Sequence, residues 1–190
     1  MYNYPLSLAF SLIGLALIVI SYFTKNKGFY LLFQFVGIVF LGLSFLFVEN
    51  YFTAITTTVG LARTLTFCIY ERHDKSAPIS MAILFSVLTV AMYFIINWWV
   101  LGDTKPLDII NVCSLCLYAF AFRIRNLRIM RYVVIIPILL AVSYNILVAS
   151  PIFTLLAYIS ELTANLIAIL RYDLIPRYKE SRTLSTKRTI

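Results

Sequence analysis

Apolar residues run through this chain in blocks too long and unbroken for the core of a soluble domain. Crossing about 30 Å of hydrocarbon takes roughly 20 mostly apolar residues at 1.5 Å rise each. Seven segments reach or approach that length: Tyr4–Phe23, Phe29–Val48, Tyr51–Tyr70, Ile79–Leu101, Leu107–Phe122, Tyr132–Ala149 and Ile152–Leu170. Inside hydrocarbon each backbone N–H and C=O must be satisfied within its own segment, so the pattern predicts helices. The third and fifth runs depart most from the pattern. The third carries Thr53, Thr56, Thr57, Thr58 and Arg63, and the fifth is short, with Asp108 and Asn111 near its start. No basic residue precedes the first run, which is longer than the apolar region of a signal peptide, so it is expected to be a retained span.

Composition narrows the class. Of 190 residues, 62% are apolar and 13% charged, against about 25% charged in a soluble domain. With Gly at 6, Pro at 6 and Cys at 3, a collagen-like fibre, a disordered low-complexity chain and a disulfide scaffold are excluded. A large soluble enzyme is excluded as well. The expected fold is an all-α membrane protein of seven transmembrane helices with little mass outside the bilayer.

Charge orients these helices. Lys25 and Lys27 follow the first run, Arg72 and Lys75 the third, and Arg123, Arg125, Arg128 and Arg131 the fifth. Arg171, Arg177, Lys179, Arg182, Lys187 and Arg188 follow the seventh, which leaves only Lys105 in an opposite loop and Arg63 inside a span. Basic loops stay in the cytoplasm, so the N-terminus is expected outside and the tail inside. The net charge of +8 then calls for no nucleic acid. It lines the cytoplasmic face, where anionic lipid attracts it. Trp98 and Trp99 fall at the outer end of the fourth run, where an interfacial aromatic belt is expected.

The spacing of elements points to an internal duplication. Shifted by 101 residues, the first three runs overlay the last three, with Pro5-Leu6 on Pro106-Leu107, Phe52-Thr53 on Phe153-Thr154 and Lys27 on Arg128. The short turn Glu49-Asn50 falls on Ser150-Pro151. The odd fourth run carries the chain back across the membrane, so the two triplets run in parallel about an axis along the membrane normal. The expected layout is 3+1+3, with a first repeat at 1–70, a loop and linker helix at 71–104, a second repeat at 105–171 and a basic cytoplasmic tail at 172–190.

Ionisable groups at mid-bilayer are costly and usually face a partner or a cavity. Arg63 is the thirteenth residue of the third run and Glu161 the tenth of the seventh, so their depths differ by about 4.5 Å. If the triplets pack about a shared axis, the two can face each other as a gate, a solute-binding pair or a proton-responsive carboxylate. A static ion pair, or an Arg63 reaching back to the headgroups, is the structural alternative. Asn165 lies one turn beyond Glu161 on the same face, and Thr57, Thr58, Thr64, Asn111, Gln34, Asn97 and Asn145 add polar groups on other runs. Together they suit a hydrated cavity for a small polar solute, with Glu161, Asn165, Arg63, Asn111 and Thr57 as its binding residues. Gly14, Gly37, Gly42 and Gly60 are expected to let helices approach closely, and Pro137 removes a hydrogen bond within the sixth helix.

Signals for covalent chemistry are few. Cys113-Ser114-Leu115-Cys116 is a C-x-x-C whose thiols share a helix face, compatible with thiol exchange or with two inert cysteines. The single histidine, His73, sits in a loop away from Cys68, so no metal site is expected. No H-E-x-x-H, G-x-S-x-G, P-loop or G-x-G-x-x-G pattern occurs. Neither an enzyme nor a cofactor is expected.

The segment Gly60-Leu61-Ala62-Arg63-Thr64-Leu65, with Asn165-Leu166-Ile167-Ala168-Ile169-Leu170-Arg171, resembles the YgjV-type bacterial inner membrane protein family, Imp-YgjV. The family pattern carries Asn where this chain has Gly60. The resemblance covers most of the chain and implies a multi-pass protein of the bacterial inner membrane. In architecture alone the layout is similar to the SWEET and PnuC-type transporters, which is analogy at the level of fold. The expected function is a small-solute transporter working by alternating access between two three-helix halves. A membrane thiol oxidoreductase using Cys113 and Cys116, or a non-transporting receptor or assembly partner, are the alternatives. Expected partners are a small polar solute, anionic lipid at the cytoplasmic face and a possible second copy in a homo-oligomer.

Overall fold

A computed structural model describes residues 4–47, 51–95, 107–148 and 152–175 of the chain. Among these residues it forms seven α-helices and no strand: α1 Tyr4–Tyr22, α2 Lys27–Phe47, α3 Tyr51–Arg72, α4 Ile79–Ile95, α5 Asp108–Arg123, α6 Leu127–Leu147 and α7 Ile152–Ile169. A π-helical turn, Leu170–Leu174, extends α7. Trp98, Trp99, Lys105, the loops at 49–50 and 150–151, and the tail beyond 175 lie outside the described residues. By length and composition, four described helices can cross a membrane, Pro5–Tyr22, Lys27–Phe47, Leu127–Leu147 and Leu155–Leu174, and Ile79–Ile95 is a shorter apolar helix. The other two are α3, which carries Thr57, Thr58 and Arg63, and α5, which carries Asp108 and Asn111.

Helix ends follow from local chemistry. Asn26 and Asn126 occupy equivalent turns, each accepting a backbone N–H two residues ahead, from Gly28 at 2.7 Å and from Arg128 at 3.0 Å. Such caps satisfy donors that the first helical turn leaves orphaned. The cap at Asn126 starts α6 five residues before the expected Tyr132, so Arg128 and Arg131 are helical rather than loop residues. At the other end of the scale, α3 closes in a Schellman turn. Lys75 N–H reaches Tyr70 O and Asp74 N–H reaches Glu71 O, both at 3.0 Å. Asp74 takes the left-handed position with φ of 53°, a conformation that Asp tolerates better than most side chains.

Packing places α1 on α2 and α2 on α3, then α5 on α6 and α6 on α7. The two triplets meet twice, through α1 against α7 and through α3 against α5. Exchanging α1 for α5, α2 for α6 and α3 for α7 reproduces this set of contacts. Outside them, α4 rests on α5 and α3. The tightest contact is between α1 and α2, where a Cβ on Gly14 would stand 2.8 Å from Gly37 O and one on Gly37 2.8 Å from Ile18 Cγ1. Those two positions require glycine. Gly42 makes only an ordinary contact and Gly60 borders open space, with nothing nearer than Arg63 Nη2 at 4.0 Å, so the expectation of close packing holds for one pair and not for the other.

The interior is apolar and aromatic towards the end of the bundle where the basic residues gather, around Tyr22, Tyr30, Phe67, Phe122 and Met130. The exterior is apolar too. Phe29, Val87, Phe94 and Ile146 stand more than half exposed, and α4 buries only Ala82 and Phe85. A surface of this kind faces lipid.

Several cations at the basic end point inward. Lys27 Nζ lies 2.8 Å from Glu71 Oε2, joining α2 to α3. Arg128 Nε lies 3.1 Å from Asp173 Oδ1 and Arg131 Nη1 3.6 Å from Asp173 Oδ2, joining α6 to the π-helical turn. Arg131 also donates to Tyr22 O and Thr24 O at 3.2 and 2.6 Å. Sequence alone placed all of these on a lipid-facing surface. Lys27 and Arg131 are instead buried, because each has a carboxylate across a helix boundary and a charge can leave water only with such a partner.

Candidate functional site

A group of polar side chains lies where α1 meets α7 and α3 meets α5. Glu161 on α7 is the first element. Its Oε1 accepts hydrogen bonds from Tyr22 OH at 2.6 Å and from Tyr118 OH at 3.1 Å. Tyr22 is the last residue of α1 and Tyr118 is midway along α5, so one carboxylate ties three helices. The rings that carry these hydroxyls are held edge to face. Tyr22 meets Tyr30 at 5.3 Å, Tyr30 meets Phe122 at 6.1 Å and Phe122 meets Tyr118 at 5.8 Å between centroids, within the range that aromatic pairs favour. Both hydroxyls converge on one oxygen, and among the described residues Oε2 has no protein donor.

Arg63 on α3 is the second element, and it approaches the same tyrosine from the other side. Its Cζ lies 5.7 Å from the Tyr118 ring centroid and 5.4 Å from that of Phe122, a cation over aromatic faces. Nη1 donates to Leu115 O at 2.8 Å. No ion pair includes Arg63 among the described residues, and its Nε is buried without a partner. Arg63 and Glu161 therefore do not touch. Tyr118 lies between them, its ring under the guanidinium and its hydroxyl on the carboxylate. At 6% exposure, Arg63 does not reach the surface.

The third element is a cavity of about 80 Å³ between α3, α4, α5 and α6. Gly60 and Arg63 line it from α3, Thr89 and Tyr93 from α4, Asp108 and Asn111 from α5, and Tyr144 from α6. Residues 108, 111 and 115 recur at helical spacing, so α5 turns one stripe toward this space. Tyr144 OH donates to Asp108 Oδ1 at 2.8 Å, which holds the carboxylate against α6. Where Gly60 stands, any side chain would project into the cavity.

Two of the expected binding residues, Arg63 and Asn111, thus meet at the cavity, and Glu161 lies beyond Tyr118. Asn165 is fully buried closer to the basic end, where its Nδ2 donates to Arg131 O at 2.9 Å. Thr57 does not border the cavity; its methyl group lies towards Gly42 of α2. Sequence reasoning passed over Tyr22, Tyr118 and Tyr144, because a tyrosine in a span is ordinarily an interfacial or packing residue. Cys113 is exposed, and Cys116 Sγ contacts Ser86 O on α4 at 3.8 Å; both are free thiols. Among the described residues no cluster of three or more His, Cys, Asp or Glu could hold a metal ion.

The Imp-YgjV family, described as bacterial inner membrane protein, matches residues 6–174, from the start of α1 to the end of the π-helical turn. No curated protein and no solved structure matches the chain.

Proposed function

Because the chain belongs to the Imp-YgjV family of bacterial inner membrane proteins, we propose that it carries a small polar solute by alternating access between α1–α3 and α5–α7. One observation carries this reading. Asp108, Asn111, Arg63, Tyr118, Glu161 and Tyr22 form a polar line along the seam between the triplets, inside a bundle whose surface is apolar. Polar groups in a membrane interior are expensive and are retained where water, ions or solutes pass. The matched contacts of α1 with α7 and α3 with α5 support a hinge of two equivalent halves joined by α4.

In this reading the basic end is cytoplasmic, and the seam opens alternately towards the cavity and towards Tyr22. A full ligand pocket measures about 300–1,000 Å³. The present cavity of about 80 Å³ has room for a few waters or the head of a solute, as expected of a closed conformation. Glu161 offers Oε2 to a cationic or hydroxyl group, and Arg63 sets the charge at the other side of Tyr118. No bond-making step is needed.

Uptake into proteoliposomes tests this. A panel of labelled glycine, gluconate, ribose and thiamine, none of which crosses bilayers readily, is expected to include at least one solute that enters above protein-free liposomes. Glu161→Gln is expected to slow that uptake about tenfold, the loss of one charged contact worth roughly 1.4 kcal/mol. Uptake no faster than in protein-free liposomes for the whole panel, or an unchanged rate in Glu161→Gln, contradicts the proposal.

A further inference from the structure

A guanidinium removed from water keeps a counter-charge in almost every protein site, since an unpaired buried ion is far more costly than a paired one. The bundle follows that rule at Lys27 and Arg131, beside Glu71 and Asp173. Arg63 breaks it. Among the described residues its donors have one acceptor, Leu115 O. Its buried Nε has none, and Nη2 is the atom nearest the open space beside Gly60. The aromatic faces of Tyr118 and Phe122 stabilise the cation from one side only. On the other side is the cavity.

We propose that Arg63 is the anion-binding residue of the cavity and that its ligand is the carboxylate of a small monocarboxylate solute. Three features select this chemistry. Nη2 faces the space beside Gly60, and a small turn of the side chain brings the buried Nε beside it as a second donor, the geometry that a planar carboxylate matches with two parallel hydrogen bonds. The space beside Arg63, about 80 Å³, admits a compact planar head. Asn111 adds an amide on the same wall. At the other end of the stripe Asp108 lies seven residues before Leu115, or about 10 Å along α5. Its charge, directed to the Tyr144 hydroxyl, disfavours a second carboxylate on the solute. Glu161, the other nearby acid, is engaged by two hydroxyls and makes no ion pair with Arg63. The inference takes the transport reading and names the chemistry of its solute. Its test reads equilibrium binding rather than flux, so it can fail while transport stands.

The probes are sodium acetate, sodium lactate and glycine, titrated against the thermal unfolding of the purified full chain in detergent. Acetamide serves as the neutral isostere and sodium chloride matches ionic strength. A ligand of the native state raises the unfolding temperature saturably by mass action. Acetate is expected to do so and acetamide and chloride are not. A response to lactate or glycine stronger than that to acetate identifies the carboxylate as the head of a larger solute, and a response to acetate alone identifies a free small acid; either supports the site. Arg63→Lys is expected to weaken the apparent affinity about tenfold through loss of the two-point contact, and Arg63→Gln to abolish the shift. Gly60→Leu tests the same site with Arg63 intact, since the added side chain enters open space and leucine favours the helix. It too is expected to remove the response. No saturable shift with any carboxylate, an equal shift with chloride, or full retention in Arg63→Gln or Gly60→Leu overturns the proposal.

Discussion

Arg131 and Arg63 are both buried, at 3% and 6% exposure, yet the bundle holds them in opposite ways. Arg131 reaches a carboxylate, Asp173, and two backbone carbonyls from the α1–α2 turn. Tyr172 stacks on it at 5.3 Å. Each has an Nε without a partner, so an orphaned donor is not what separates them. What differs is the counter-charge and the space beside it. Arg131 fastens α6, the π-helical turn after α7 and the end of α1 at the basic end. Arg63 rests on two rings and one carbonyl and borders a cavity. The first arrangement stabilises a fold and the second keeps a cation ready for something else.

That contrast can be broken by substitution. Arg131→Met is expected to produce the largest loss. It leaves Tyr22 O and Thr24 O short of a donor and Asp173 short of a buried counter-charge, and removing one partner of a buried pair costs about 3–5 kcal/mol. Thermal unfolding in detergent reads it directly. Asp173→Asn is expected to cost less, about 2 kcal/mol, because the amide keeps one acceptor for Arg128 while losing the charge-assisted part of the bonds. Glu71→Gln acts on the equivalent junction in the first triplet, where the carboxylate is 20% exposed. Partial solvation reduces the expected loss to about 1 kcal/mol. Arg125→Ala removes an exposed contact to Asp74 at 3.6 Å and is expected to leave the unfolding temperature unchanged within error. If Arg125→Ala proves as damaging as Glu71→Gln, burial is not what grades these pairs.

Much of this arrangement was legible in the sequence, for a definite reason. Hydrocarbon forces helices from long apolar runs, so the positions of α1 to α7 follow from hydropathy, and a charge within a run is conspicuous. Arg63, Glu161 and Asn111 stand out on that basis, and the structure sets them near one seam. Less legible were groups whose residue type is common in membranes. Tyr22 and Tyr118 look like any interfacial tyrosine until folding brings their hydroxyls to Glu161. The start of α6 was hidden because Arg128 and Arg131 resemble loop charge, and only the cap at Asn126 and the acid at Asp173 make them helical and inward. Asn165 shows the limit of face reasoning. It shares a helix face with Glu161, but one turn of depth exchanges a neighbouring tyrosine for the α6 backbone.

Arg63→Met gives the most direct test of the central claim, that Arg63 serves a ligand and not the fold. Its thermal unfolding should be compared with that of the wild type and Arg131→Met, in detergent without added carboxylate. Replacing an unpaired buried cation by an apolar side chain of similar length is neutral or stabilising. The account therefore predicts that Arg63→Met unfolds at or above the wild-type temperature while Arg131→Met unfolds well below it. A fall in Arg63→Met as deep as that in Arg131→Met would contradict the claim and make both arginines struts of the same bundle.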